Sequence, residues 1–299
     1  MTKPLIILDG GLGRELARRG APFQQPEWSA LAMIEAPEQV QAVHEDFIAA
    51  GAQVIATNSY ALVPFHIGEQ RFYEQGPELI ERSGRVARAA AKGSSALVSG
   101  SLPPLFGSYR PDLFDREHVK AIATPLIEHL SPYVDLWQLE TQSLIAETEA
   151  VLELLPDDGK PRWASFTLDD EHPERMAQLR SGESVRDAVI AMAKQKVAAI
   201  LFNCCQPEVI LAAITQAKAT LDELELTDQI RIGGYGNAFA VAQTSEATAN
   251  EGLDDIRQDL TPAMYLKFAQ QWRTAGASII GGCCGIGPEH IAKLASDLR

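Results

Sequence analysis

Short apolar runs recur along the chain, and each gives way to a longer stretch with apolar residues at helical spacing. The runs Leu5–Leu8, Gln53–Thr57, Ala96–Gly100, Leu136–Glu140, Arg162–Phe166, Ala198–Phe202, Ile230–Gly233 and Ala277–Ile280 predict eight strands. Pro77–Ala91 puts Leu79, Ile80, Val86, Ala87 and Ala90 at helical intervals; Ser184–Lys196, Pro207–Leu221, Thr261–Thr274 and Pro288–Leu298 read the same way. Pro207, Pro262 and Pro288 stand where a first helical residue belongs, with Glu208 and Glu289 beside two of them. Eight strands alternating with helices over 299 residues predict an α/β chain, a single-domain (β/α)8 (TIM) barrel spanning residues 1–299. An open doubly wound sheet is the alternative. Asp9-Gly10-Gly11-Leu12-Gly13, however, lacks the spacing of a dinucleotide-binding turn. Two loop-like stretches, Leu102–Arg116 and Glu246–Asp259, fall after the third and seventh strands, where such a barrel carries its active-site loops.

Composition, 46% hydrophobic and 22% charged, is that of an ordinary globular chain and leaves this picture unchanged. The formal net charge of -14 does change it: such a chain repels phosphate backbones, so no nucleic-acid partner is expected. No run approaches the roughly 18 apolar residues of a membrane span. Met1-Thr2-Lys3-Pro4 leads straight into a strand rather than a secretory leader, so the expected location is cytoplasmic.

The candidate chemistry lies in the 4 cysteines, which form two doublets, Cys204-Cys205 and Cys283-Cys284. Adjacent cysteines rarely bond to each other, because disulfide geometry is awkward across one peptide unit. In a reducing compartment, clustered thiols point to a metal or to reactive groups. Each doublet follows a predicted strand directly, the sixth and the eighth, on the face where barrels build active sites. Sulfur donors select zinc or iron–sulfur clusters over magnesium and calcium. The Cys-x-x-Cys runs of iron–sulfur sites are absent, and three thiolates with one open position describe a catalytic zinc site. The plainer alternative is two buried pairs of small apolar side chains. A free thiol has a pKa of about 8.5, so only about 3% is ionised at pH 7. Coordination removes that cost, and such a site suits the activation of a substrate thiol. Glu140 closes an apolar strand, which suggests a site. Asp9, taken alone, reads as a cap on a helix at Gly13–Arg18. His44, His129 and His290 read as surface or satisfied helix residues. Trp28, Trp137, Trp163 and Trp272 read as packing, although one at the barrel mouth would suit a cationic donor.

Leu8-Asp9-Gly10-Gly11-Leu12-Gly13, Thr57-Asn58-Ser59-Tyr60, Leu139-Glu140-Thr141, Asn203-Cys204 and Gly281-Gly282-Cys283-Cys284-Gly285 resemble, in this order, the motifs of the homocysteine S-methyltransferase family. The resemblance runs from Leu5 to Leu294. It implies a zinc barrel that moves a methyl group from a small onium donor, such as S-methylmethionine or S-adenosylmethionine, to the thiol of homocysteine. By the same resemblance Cys204, Cys283 and Cys284 match the zinc ligands, and Cys205 is a neighbour that does not touch the ion. Asp9 and Glu140 match the carboxylates that hold the acceptor's amino group. Asn237 matches an asparagine after the seventh strand, near the metal. The Pro103–Arg110 loop is shorter than in relatives that use S-methylmethionine, and Gly236 and Ala238 replace the family's usual flanks of Asn237. The chain is too short for the folate and cobalamin domains of methionine synthase, so a free small-molecule donor is expected. The alternatives are a different thiol or selenol acceptor, and a non-catalytic barrel in which Cys205 completes a closed four-ligand clasp.

Overall fold

A computed structural model describes residues 3–171, 176–239 and 256–298. Eight parallel strands pair in the order β1-β8-β7-β6-β5-β4-β3-β2. They are β1 (Ile6–Ile7), β2 (Val54–Ala56), β3 (Leu97–Leu102), β4 (Leu136–Gln142), β5 (Arg162–Phe166), β6 (Ala199–Asn203), β7 (Arg231–Tyr235) and β8 (Ile279–Ile280). The ring closes between β1 and β2. There the Asp9 N–H donates to the Val54 carbonyl at 3.0 Å and the Gln53 N–H to the Ile7 carbonyl at 2.7 Å. This is the predicted (β/α)8 barrel rather than an open sheet. Helices α1 (Leu12–Arg18), α2 (Ser29–Glu35) and α3 (Pro37–Ala49) follow β1, and α4 (Pro64–Ile67) and α5 (Glu69–Ala91) follow β2. One helix follows each later strand: α6 (Val119–Leu130), α7 (Ile145–Leu152), α8 (Val185–Lys194), α9 (Pro207–Glu223), α10 (Pro262–Ala275) and α11 (Pro288–Asp297). No helix among the described residues is long and apolar enough to cross a membrane.

The two-residue period of the strands sorts side chains into two cores. Leu8, Val54, Leu136, Trp163, Ala199, Leu201 and Ile279 fill the barrel interior. Their neighbours Ile7, Ile55, Trp137, Ala164, Ile200, Phe202 and Ile280 face outward, into the layer shared with helix residues such as Phe47, Ile210 and Trp272. A strand buried on both faces reads as a continuous apolar run, and that is why these eight were visible in the sequence.

The differences from expectation lie at the element ends. β1 and β8 are two residues long rather than four, while β4 runs on to Gln142. α5 begins at Glu69, eight residues before the expected start, and carries Pro77 inside it. Proline has no N–H to give the carbonyl four residues back, here that of Tyr73. Tyr73 is exposed, so the loss falls on the solvent side. Within the expected Glu246–Asp259 loop, residues 246–255 lie outside the described residues.

Candidate metal and substrate site

The carboxyl ends of the strands converge on one cavity, lined by Asp9, Glu140, Cys204, Cys283 and Cys284 among others. Cys204 follows β6 at once, with φ at 52°. Its N–H donates to the Tyr235 carbonyl at 3.3 Å. The Cys283–Cys284 turn is stitched to both neighbouring strand ends. Gly282 N–H donates to Asp9 O at 3.0 Å, Cys283 N–H to Gly236 O at 2.9 Å, and Ala238 N–H to Cys284 O at 2.8 Å. A Cβ added to Gly11 would lie 2.5 Å from the Cys283 carbonyl oxygen and 2.8 Å from Cys284 Cα. Only glycine lets the two backbones approach this closely.

The three sulfurs, separated by up to 80 positions in sequence (204 to 284), all lie within 4.8 Å of one another. A tetrahedral zinc about 2.3 Å from each sulfur sets them about 3.8 Å apart, so the cluster fits such an ion with little movement. The thiols share their protons unevenly. Hydrogen bonds from Cys283 and Cys284 pull the Cys204 thiol well below its ordinary range, and the same contacts push those two up. Cys205 is outside the cluster. It is fully buried in the layer between barrel and helices, where burial raises its thiol above the usual range. Among the described residues, no other histidine, cysteine or carboxylate joins the three sulfurs. His290 is engaged elsewhere: Nδ1 accepts from the Gly287 N–H at 3.2 Å, and Nε2 lies 2.9 Å from the Leu260 carbonyl.

The two carboxylates stand on the same cavity wall. Asp9 is no helix cap: α1 is capped by Gly11 without a side-chain bond. Asp9 Oδ2 accepts instead from the Ala56 N–H at 2.8 Å. Glu140 accepts from Ser101 Oγ at 2.7 Å and from Gln138 Nε2 at 3.1 Å. Burial raises Asp9 well above the carboxylate range and Glu140 to about 7, and the charge of Glu140 adds to the rise at Asp9. Among the described residues, desolvation dominates at both carboxyls, and their hydrogen bonds come from neutral donors.

Asn237 stands behind the site. Its N–H donates to the Cys205 carbonyl at 3.0 Å, and its Oδ1 accepts from the Phe239 N–H at 3.3 Å. Several further residues line or flank the cavity, of which Tyr109 and Arg180 were given no role in the sequence. Tyr109, from the loop after β3, donates its hydroxyl to Cys204 Sγ at 2.9 Å. The Arg180 guanidinium lies 4.5 Å from the centre of its ring. Tyr60 pairs with Ser108 at 2.6 Å. Trp28 stacks edge-on against Phe23 and lines the cavity. A signal is visible only in the backbone. Trp28, Tyr109, Thr141 and Cys204 carry φ of 51°, 63°, 57° and 52°, four of the six non-glycine residues with positive φ among those described, and all four line this cavity. Strain of this kind collects at functional sites.

Fold and site together define a barrel with a three-thiol cluster beside two buried carboxyls. The profile of the homocysteine S-methyltransferase family matches residues 6–298, and the chain belongs to that family. It is 32% identical to the homocysteine S-methyltransferase of Escherichia coli over 311 residues, which cover 97% of this chain and 94% of that protein. The selenocysteine methyltransferase of Astragalus bisulcatus is 27% identical over 97% of this chain and 95% of its own length. Among solved structures, the metallated form of the Escherichia coli homocysteine methyltransferase matches with a TM-score of 0.76 at 30% identity, over 98% of this chain and 96% of that one.

Proposed function

We propose that this protein methylates the thiol of homocysteine, giving methionine, at a zinc ion held by Cys204, Cys283 and Cys284, with a small onium compound such as S-methylmethionine or S-adenosylmethionine as donor. One observation carries the reading: three sulfurs and two buried carboxylates face the same cavity. Sulfur donors favour zinc over the hard divalent cations. Zinc on three thiolates supplies a place where an incoming thiol loses its proton at neutral pH.

The chain's own residues do the rest. Asp9 and Glu140 take the acceptor's ammonium, which returns to both carboxylates the counter-charge that burial withholds. The acceptor is thus held at two ends, sulfur against the cluster and ammonium against the socket the two carboxylates form. In the transfer a bond forms between the acceptor thiolate sulfur and the methyl carbon. The bond from that carbon to the donor's onium atom breaks, and its electron pair stays with the donor. An anion and a cation become two neutral groups, a change that a water-poor cavity favours. Phe23, Trp28, Tyr60 and Phe239 give the cavity an aromatic wall suited to the donor's positive charge. Asn237 serves by fixing the loop whose next residue, Ala238, holds Cys284. Four cysteines without a disulfide suit a reducing compartment, and we place the enzyme in the cytoplasm.

Removing one ligand tests the assignment. Cys283→Ala should lose both stoichiometric zinc and turnover; full activity with one zinc per chain refutes it. Turnover of zinc-loaded enzyme with homocysteine and a panel of S-methylmethionine, S-adenosylmethionine, dimethylsulfoniopropionate and betaine identifies the donor. The similarity to a selenocysteine methyltransferase supports a second acceptor. Competition between homocysteine and selenocysteine separates the two.

A further inference from the structure

Asn203 is the last residue of β6 and is 1% exposed. Its side chain reaches past β5 to β4 and grips a single residue twice. Oδ1 accepts from the Thr141 N–H at 3.0 Å, and Nδ2 donates to Thr141 Oγ1 at 2.9 Å. Thr141 needs such a grip. It is β-branched, yet its φ is 57°, in the left-handed region that such residues avoid. It also lies where the register between β4 and β5 shifts, between Leu139 and Gln142. An irregularity of this kind re-aims the side chains beside it, and the residue before Thr141 is Glu140. At the other end of the link, the residue after Asn203 is Cys204, itself at φ 52°. Two left-handed residues, one beside the ammonium socket and one in the sulfur cluster, are therefore joined through one amide.

We infer that Asn203 is a positioning residue: by holding Thr141 in its left-handed conformation it fixes the bulge that aims Glu140, and so sets the distance between ammonium socket and sulfur cluster. The inference rests on the acceptor reading above. It requires no contact between Asn203 and substrate, since both hydrogen bonds go to Thr141.

Glycine adopts positive φ without strain, so a glycine at position 141 has no need of the grip. This makes a double-mutant cycle diagnostic. In zinc-loaded protein, Asn203→Ala should raise KM for homocysteine about tenfold, the scale of two lost hydrogen bonds, with a much smaller change in kcat. Zinc stoichiometry should stay at one, because the three ligands remain. In a Thr141→Gly background the same substitution should raise KM by about threefold or less, since the grip is then redundant. An equal rise in both backgrounds, or none in the first, overturns the inference. The same cycle is read in denaturant midpoints of the metal-free protein: Asn203→Ala should lower the midpoint more with threonine at 141 than with glycine. Equal lowering also overturns it, and folding only in the Thr141→Gly background supports it. If wild-type enzyme fails to methylate homocysteine, the acceptor reading falls, and the denaturation cycle alone decides the role of Asn203.

Discussion

Glu140 shows how much of this site is set by where a single side chain is buried. Its carboxyl is raised from 4.5 to about 7, chiefly by loss of water. A carboxyl whose folded value lies above its unfolded value holds its proton more tightly in the folded state. The stabilisation it gives is complete below pH about 4.5 and is lost as the pH rises through about 7. Metal-free wild-type protein should therefore lose up to about 3 kcal/mol between pH 5 and pH 8 on account of this group. Glu140→Gln should flatten that part of the stability profile, as followed by urea denaturation at each pH. A profile with the same slope in both proteins removes the buried carboxyl as its cause. The same substitution removes one of the two carboxyls proposed to meet the ammonium and should raise KM for homocysteine by about tenfold or more, the loss of one charge-assisted hydrogen bond. The cysteines and Glu140 were legible in the sequence because each stands at the end of an apolar run, where the chain itself marks the barrel mouth. The roles of Tyr109, Thr141 and Asn203 were not, because what they do depends on which side chain from another strand or loop they meet.

At the scale of elements, the sequence showed existence better than extent. Apolar runs located all eight strands, yet β1 and β8 prove to be only two residues each. Just beyond them, glycines let backbones meet: a Cβ on Gly10 would lie 2.1 Å from the Ile286 carbonyl oxygen and one on Gly281 3.0 Å from that of Asp9. Pro77 reads as a helix start, but α5 runs through it because its hydrogen-bonding loss falls on an exposed turn. The Gly11 contact gives a direct test. Gly11→Ala places a methyl 2.5 Å from the Cys283 carbonyl oxygen, a backbone atom that cannot swing aside. It should cost about 1–3 kcal/mol of stability, the range for overpacking. It should also weaken zinc binding, since the displaced turn carries two ligands. Thermal melting and chelator competition measure the two effects. A variant that melts and chelates like wild type removes the contact from the account.

Across the whole molecule, sequence distance and spatial distance diverge most at the site. Asp9 comes from just after β1, Glu140 from β4, and the sulfurs from beyond β6 and β8. An ion held only by the folded chain stabilises it by mass action, about 2.7 kcal/mol at a hundredfold excess over Kd. Zinc should therefore raise the melting temperature, and a chelator should lower it again; a melting point indifferent to zinc contradicts the proposed centre. The closure between β1 and β2 carries a consequence for how the protein is made. A nascent chain that has emerged as far as β7 owns only one of the three sulfurs. The other two arrive only with the last fifth of the polypeptide, after β8 has paired with β1, so a proposed zinc centre at these sulfurs is complete only once the ring has closed.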